Sequence, residues 1–258
     1  KGRLQSMVSA QYLQAEQITK TFGTHKVLNA LSLRLEGGQL SCLLGQNGAG
    51  KTTLLRILAG LQKPNSGQIL LDGQALQENF RRQIGAVMHQ TFLYEYLTAL
   101  ENLRFYAQLY QVPSDTRLLK EALTRVGLGK VREVPVRIFS RGMKQRLTIA
   151  RALIADPKLL LFDEPYTGLD LLGCQLLNEL LLEEKAKGRI ILATTHEFEF
   201  VRQVADRFVI LNIGRLVDDF EGGPQLSLDR LEARYLAITA PRPIADLGSA
   251  PSPEEITA

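Results

Sequence analysis

The sequence predicts an α/β fold in which helices surround a sheet and a separate helical lobe is inserted into the chain. Apolar, strand-like segments alternate with helical patterns along most of the sequence, which is typical of a largely parallel sheet. A glycine-rich loop, Gly45–Thr52, separates an apolar strand from a helical pattern. From residue 91 to residue 155 helical patterns dominate, so this stretch is predicted to form the lobe.

The composition limits the size and class of the protein but does not identify its function. The 258 residues suffice for one large domain or for a core with a smaller lobe. A net charge of +4 without a dense Lys/Arg cluster gives no reason to expect a nucleic-acid partner. The two cysteines, Cys42 and Cys174, are expected to be packed thiols. No apolar run reaches the ~18 residues of a membrane-spanning helix. No signal peptide is recognised, and residues 1–6 are interpreted as an expression remnant before Met7.

The first ninety residues are predicted to hold five strands and one helix. In the second strand Leu31, Leu33 and Leu35 recur with a period of two, as on a strand with one buried face. The helix follows the glycine-rich loop. The predicted strands are Gln14–Phe22, Lys26–Leu35, Leu40–Leu44, Gln68–Leu71 and Ile84–His89.

In the rest of the chain the helices of the lobe give way to renewed strand–helix alternation. Ser140 is expected to cap a helix that runs to Ala155 and ends at Asp156–Pro157. The other predicted helices are Leu100–Tyr110, Thr116–Val126, Leu171–Lys187, Phe198–Ala205 and Leu226–Ile238. The predicted strands are Leu159–Asp163, Arg189–Thr195, Arg207–Leu211 and Arg215–Phe220. Residues 240–258, rich in Pro, Ala and Ser, are expected to be a disordered tail.

The loop Gly45–Thr52 matches the phosphate-binding pattern G-x-x-x-x-G-K-[ST] in its required strand–loop–helix context. Glycines allow successive backbone N–H groups to turn toward phosphates, and the following helix adds its positive N-terminal end. Lys51 is expected to reach the β- and γ-phosphates, and the Thr52 hydroxyl is expected to bind Mg²⁺. The sequence therefore predicts a nucleotide site here.

Two carboxylates at the end of a buried strand extend this prediction. Asp163 ends the apolar strand Leu159–Asp163, and Glu164 follows it. A strand that delivers an aspartate at its carboxyl end is a common way to place an acidic group beside Mg²⁺. Glu164 is then expected to orient or deprotonate the attacking water.

In these motifs, and in their order, the sequence resembles the ATP-binding cassette (ABC) ATPases over roughly residues 14–220. The resemblance places the Walker A loop at Gly45–Thr52, the Walker B strand at Leu159–Asp163 and the D-loop at Thr167–Asp170. It implies ATP binding by Phe22, Gly45, Gln46, Asn47, Gly48, Ala49, Gly50, Lys51, Thr52 and Thr53. It implies catalytic roles for Glu164, His196 and Gln90, metal binding by Thr52, Gln90 and Asp163, and a D-loop role for Asp170.

The same resemblance assigns Phe139–Met143 to the signature segment, which acts on the ATP of a second copy. Ser140 and Gly142 are retained in it, whereas Arg141 and Met143 replace the usual glycine and glutamine. Ser140, Arg141, Gly142 and Met143 are accordingly expected to work in trans. Phe22 stands where tyrosine is more usual for stacking on adenine.

The resemblance also implies an architecture and partners. It predicts a P-loop NTPase core with a mixed sheet, an N-terminal antiparallel β subdomain and an inserted α-helical lobe. The ATPase domain is expected at residues 7–220, with core segments 7–90 and 156–220, lobe 91–155 and an extension at 221–258. A second ATPase subunit, forming a homodimer, and a transmembrane permease are the expected partners. The chain would then be peripheral, at the cytoplasmic face of the cell membrane.

Several functional alternatives remain open at this point. The motifs look like those of exporter-type cassettes, in particular haem-exporter subunits of cytochrome c maturation. A soluble cassette ATPase acting on ribosomes or DNA is the alternative of another class. A P-loop GTPase or kinase is disfavoured because no Asn-Lys-x-Asp motif occurs. Phe92, Tyr94 and Tyr96 suit either a partner-binding surface or the core of the lobe.

Overall fold

The structure is a computed structural model and describes residues 11–75 and 78–240. The predictions for residues 1–6 and for residues 241–258 of the tail lie outside the described residues. The strands are β1 Tyr12–Phe22, β2 His25–Glu36, β3 Gln39–Leu44, β4 Ser66–Leu71, β5 Gln74–Ala75, β6 Ile84–Val87, β7 Leu159–Asp163, β8 Ile190–Thr194, β9 Arg207–Asn212 and β10 Arg215–Glu221. The α-helices are α1 Lys51–Leu58, α2 Ala99–Tyr110, α3 Thr116–Arg125, α4 Arg141–Leu153, α5 Leu171–Ala186, α6 Phe198–Val201 and α7 Leu228–Thr239.

The larger sheet has six strands in the order β10-β9-β3-β8-β7-β6. Its strands run parallel except for β10, which pairs antiparallel with β9 at the edge. Strands β7 and β8 are buried at every residue, as expected of parallel strands covered by helices on both faces. The predicted α/β fold with a mixed sheet is therefore confirmed.

A second, antiparallel sheet with the order β2-β1-β4-β5 lies at the N-terminal part of the chain. In β2 the predicted period is present, since Leu31, Leu33 and Leu35 are buried and the residues between them face outward. The strand β5 was not predicted, because its two residues are too short to show a period. This sheet confirms the expected N-terminal antiparallel subdomain.

Residues 99–153 contain the three helices α2, α3 and α4, which pack on one another and on β6. Ser140 caps α4 as predicted, its hydroxyl accepting a hydrogen bond from the Met143 backbone N–H at 3.2 Å. Cys42 and Cys174 are buried thiols, also as predicted. Within the described residues, none of the helices combines the length and the apolar character needed to cross a membrane.

A buried carboxylate joins the helical lobe to the core. The side chain of Glu184 on α5 is only 4% exposed and lies 3.1 Å from Arg125 Nη2 of α3. Lys187 Nζ lies 2.7 Å from the same carboxylate, and Arg189 Nε lies 3.4 Å from it. Burial by itself would raise the pKa of Glu184, but hydrogen bonds from Lys187 and Arg125 outweigh it and hold the pKa below its ordinary value. The ionised form is therefore the one that stabilises the fold.

We expect Glu184→Gln to lower the free energy of unfolding by about 2–3 kcal/mol, because three cationic groups lose their shared partner. Since the folded pKa is lowered, this contribution is present above the ordinary pKa of 4.5 and is lost as the pH falls through the folded value. Urea unfolding at pH 7 and at pH values below 4.5 measures it. Glu179→Gln, on the exposed face of the same helix, is the control. Equal stability of the two variants at pH 7 would contradict the assignment.

Candidate active site

The glycine-rich loop connects β3 to α1 and is shaped by close backbone contacts. Gly50 has φ +109°, and a Cβ there would lie 2.9 Å from Leu28 Cδ2 and 3.0 Å from the Val27 carbonyl oxygen. Gly45 approaches the Leu211 carbonyl so closely that a Cβ would lie 2.4 Å from it. Only glycine fits at these two positions, so the loop is held against β2 and β9. The first N–H groups of α1, which have no partner inside the helix, are left for an anion.

Lys51, the first residue of α1, is buried beneath the loop. Its Nζ donates hydrogen bonds to the Gly45 carbonyl at 2.5 Å and to the Gln46 carbonyl at 3.2 Å. It also lies 3.4 Å from His196 Nε2. Burial lowers the pKa of Lys51, although the charges of Glu164 and Asp163 oppose this change. An anionic phosphate bound beside Lys51 would therefore favour the charged form of its ammonium group.

The Thr52 hydroxyl and the Asp163 carboxylate meet across the sheet. Thr52 Oγ1 donates a hydrogen bond to Asp163 Oδ2 at 2.9 Å, although 111 residues separate them in sequence. The Thr194 hydroxyl donates to the other oxygen, Asp163 Oδ1, at 2.9 Å. A hydroxyl and a carboxylate suit Mg²⁺, which prefers oxygen ligands and takes the remainder from water and phosphate. The two predicted ligands Thr52 and Asp163 are thus brought together.

Glu164 and His196 form a pair beside Lys51. His196 Nε2 lies 3.4 Å from Glu164 Oε1, and the His196 backbone N–H donates to Glu164 Oε2 at 3.2 Å. Glu164 has φ +53°, a conformation that is uncommon for residues other than glycine, and its N–H donates to the Thr194 carbonyl. Burial raises the pKa of Glu164, and the charges of His196 and Lys51 only partly offset this. A raised pKa suits a carboxylate that accepts a proton from water.

The signature segment begins α4 and lies on the other side of Glu164. A cavity of about 420 Å³ has Arg141 on one wall and Asp163 and Glu164 on another. Gly142 packs so tightly on the loop before α5 that a Cβ would lie 2.8 Å from the Gly168 carbonyl oxygen. Ser140 is exposed and caps α4, so its hydroxyl is accessible to a second molecule.

The remaining predicted site residues lie at the margins. Asp170 caps α5, accepting a hydrogen bond from the Gly173 N–H at 2.8 Å. Phe22 is half exposed at the turn between β1 and β2. Gln90 is exposed after β6, and within the described residues its side chain forms no hydrogen bond to the Thr52–Asp163 pair. Roles for these residues in catalysis or ATP binding stay predictions.

A second cavity, of about 370 Å³, lies over the phosphate loop, and Lys51, Thr52, Thr53, Asp163 and Glu164 are among the residues that line it. His25 also lines this cavity, and sequence reasoning had left it without a role. Thr194 was likewise not predicted to belong to the site. A polar residue at the end of an otherwise apolar strand is a signal that could have identified it. The cavity has the donors and charges that a nucleoside triphosphate needs.

Comparison with protein families and with individual proteins identified several that are similar to this chain. The family model described as "ABC transporter" matches residues 28–167. The lantibiotic transport ATP-binding protein SrtF of Streptococcus pyogenes is 35% identical over 83% of this chain and 93% of its own length. The Nod factor export ATP-binding protein I of Cupriavidus metallidurans is 36% identical over 84% of this chain and 73% of its own length.

Solved structures with the same fold were also found. One, described as the ATP-binding subunit of an ABC transporter, superposes with a TM-score of 0.77 at 33% identity, covering 86% of this chain and 98% of its own. Another is a dimeric ATP-binding cassette in a post-hydrolysis state bound to ADP and Pi. It has a TM-score of 0.73 and 27% identity, and covers 81% of this chain and 98% of its own.

Proposed function

Because this chain belongs to the family of ABC transporter ATP-binding proteins and is an ATPase, we propose that it works as a dimer to drive a membrane-embedded exporter. The observation that carries the proposal is the cluster of charged and polar side chains at the phosphate loop, together with the exposed start of α4. The cavity over the phosphate loop is lined by Lys51, Thr52, Asp163 and Glu164. His196 lies 3.4 Å from both Lys51 and Glu164, and Ser140, which caps α4, is exposed.

Each residue of the site has a defined part in this proposal. Lys51 and the N–H groups of α1 bind the triphosphate, and Thr52 and Asp163 hold Mg²⁺, which supplies charge neutralisation on the phosphates. Glu164 accepts the proton of the attacking water, and His196 orients that carboxylate and contacts the γ-phosphate. Gln90 would contact the Mg²⁺ ion and the attacking water once ATP is bound. Phe22 stacks on the adenine.

Closure in a dimer completes the site. Ser140 and Gly142 of a second copy approach the γ-phosphate at the N-terminus of α4, where helix geometry favours anions. Arg141 packs against Gly168 in its own chain, its Cδ lying 2.7 Å from the position of an added Cβ. In the first turn of α4, the Gly142 N–H has no hydrogen-bond partner within the helix. Two copies bound head to tail then share two ATP molecules, so binding ATP favours the dimer.

The membrane partner is proposed to bind in the groove between the core and the lobe. A cavity of about 340 Å³ there is lined by Leu61, Phe92, Tyr106 and others. Phe92 and Tyr96 are 61% and 87% exposed, whereas the Tyr94 ring packs on Phe105 with centroids 4.6 Å apart. Tyr94 is 47% exposed but packs partly within the lobe, whereas the greater exposure of Phe92 and Tyr96 favours a partner surface. Such binding would keep the chain peripheral at the cytoplasmic face of a membrane.

Export is the direction that the relatives favour, since the names of the two described above refer to lantibiotic transport and Nod factor export. Those names lend no support to the haem-exporter alternative. The competing soluble ATPase of ribosomes or DNA would need a basic surface or a nucleic-acid partner, and the net charge of +4 gives no reason to expect one.

The proposal is tested by purifying the tagged chain from detergent-solubilised membranes of its own source and identifying what accompanies it. We expect a protein with membrane-spanning helices, and we expect Phe92→Asp to reduce its recovery about tenfold by placing a charge in an apolar contact. Leu118→Asp, at an exposed position of α3 outside this groove, is the matched control. Recovery of ribosomes or nucleic acid instead would overturn the transporter assignment.

A further inference from the structure

The last turn of α7 lies directly against the phosphate loop. Gln46 Nε2 donates a hydrogen bond to the Thr239 carbonyl oxygen at 2.6 Å. Asn212 Nδ2, at the end of β9, donates to the neighbouring Ile238 carbonyl at 3.3 Å. The last carbonyls of a helix have no partner within it and carry partial negative charge. Two side-chain amides therefore donate hydrogen bonds to the carbonyls of this helix end. The helix end lies beside the loop that is predicted to bind an anionic substrate.

The helix α7 is fixed to the core along its length. Leu231 is fully buried, and Arg234 forms two hydrogen bonds to Asp218, at 2.5 and 2.8 Å. The Arg234 guanidinium also lies over the Phe220 ring, 4.0 Å from its centroid. These contacts to β10 fix the position of α7. The C-terminal end of the helix can therefore hold a neighbouring side chain in place.

The same helix reaches the segment that carries His196. The Tyr235 ring packs edge-on against Phe198 of α6, with centroids 5.1 Å apart, and Phe198 lies two residues after His196. Burial raises the pKa of the Tyr235 hydroxyl; a hydrogen bond with Thr239 opposes this change, and the negative charge of Glu164 adds to it. One helix thus contacts both the phosphate loop and the segment that follows His196.

Gln46 connects α7 to the functional lysine. Its side chain is bonded to the helix end, and its own backbone carbonyl accepts a hydrogen bond from Lys51 Nζ at 3.2 Å. Displacing α7 would release the Gln46 side chain and with it the carbonyl that holds the ammonium group. We propose that α7 is a positioning element for the phosphate loop, and that Gln46 is the positioning residue through which it acts on Lys51.

This role differs from the one expected for Gln46 from its place in the loop pattern. There the backbone N–H faces the phosphates and the side chain is free to vary. Here the side chain makes the loop dependent on a helix almost two hundred residues away in sequence. The inference concerns the ATPase itself and stands for any membrane partner.

The test is a double-mutant cycle of Gln46→Ala and Tyr235→Ala in the full chain, with steady-state ATP hydrolysis as the readout. Each single variant is expected to raise the KM for ATP about 3–10-fold, the size expected for one hydrogen bond, with kcat within about twofold. Because Tyr235→Ala is expected to act by loosening the helix end that Gln46 holds, the KM of the double variant should be no higher than that of the single variant with the larger effect. Gln108→Ala, at an exposed position of α2, is the control.

The cycle distinguishes this role from two others. If Gln46 contacts the nucleotide independently of α7, the two effects will multiply in the double variant, which overturns the proposal. If α7 only stabilises the fold, Tyr235→Ala will lower the urea midpoint without changing the KM of the folded fraction, which also overturns it. The unmodified chain is assayed in parallel. Its turnover tests the ATPase activity separately from the role of α7.

Discussion

Glu164→Gln is expected to lower ATP turnover at least ~100-fold, because an amide cannot accept the proton of the attacking water. The substitution keeps the size of the side chain and one oxygen for the hydrogen bond from the His196 backbone N–H. Nucleotide binding should therefore persist, and the variant should accumulate as an ATP-bound dimer. Hydrolysis is measured by phosphate release, and dimer formation by size-exclusion chromatography with ATP.

The pH–rate profile of the unmodified chain gives a second check on Glu164. Since burial raises the pKa of this carboxylate, the acidic limb should lie above the ordinary glutamate value of 4.5 and be absent from the residual rate of Glu164→Gln. Glu179→Gln, which changes an exposed carboxylate on α5, should turn over at the unmodified rate. An unchanged rate in Glu164→Gln would remove Glu164 from the mechanism.

Lys51→Met is expected to weaken ATP binding about 10–100-fold, because charge-assisted hydrogen bonds to the phosphates are lost. The fold should tolerate the change, since burial already disfavours the ammonium group and methionine has a similar length. Direct titration with a fluorescent nucleotide measures the affinity. Lys130→Met, at an exposed position in the lobe, should bind ATP normally.

The same variant tests whether two chains share each site. Lys51→Met should be inactive alone at ATP concentrations well below its weakened affinity. Ser140→Asp should be inactive alone because aspartate still caps α4 but places a negative charge opposite the phosphates. In an equimolar mixture, mixed dimers contain one site with both Lys51 and Ser140 intact. Random pairing then restores about one quarter of the unmodified rate. A mixture that dimerises and stays inactive would show that Ser140 does not act on the partner's ATP.

Local sequence patterns determined much of the fold. The run Leu159–Asp163 appears as β7 with the predicted bounds. Four apolar residues followed by a terminal aspartate suit a strand that is buried on both faces. Ser140 caps α4 because a serine hydroxyl accepts a hydrogen bond from the N–H three residues on. The phosphate loop was predicted from its G-x-x-x-x-G-K-[ST] spacing and its strand–loop–helix context, although the contacts that require Gly45 and Gly50 come from β9 and β2.

Only the tertiary structure decided how these parts meet. Sequence patterns do not give strand order, and the order β3-β8-β7 places His196 between Lys51 and Glu164, at 3.4 Å from each. It also explains why Thr194, at the end of the central strand of the three, reaches Asp163. The contact between Gln46 and α7 depends on where a distant helix ends. Such contacts join residues far apart in sequence, and they form only when the packed core fixes both ends. The sequence by itself thus determined which residues can bind phosphate and metal, and the packing of the sheet decided which of them act together.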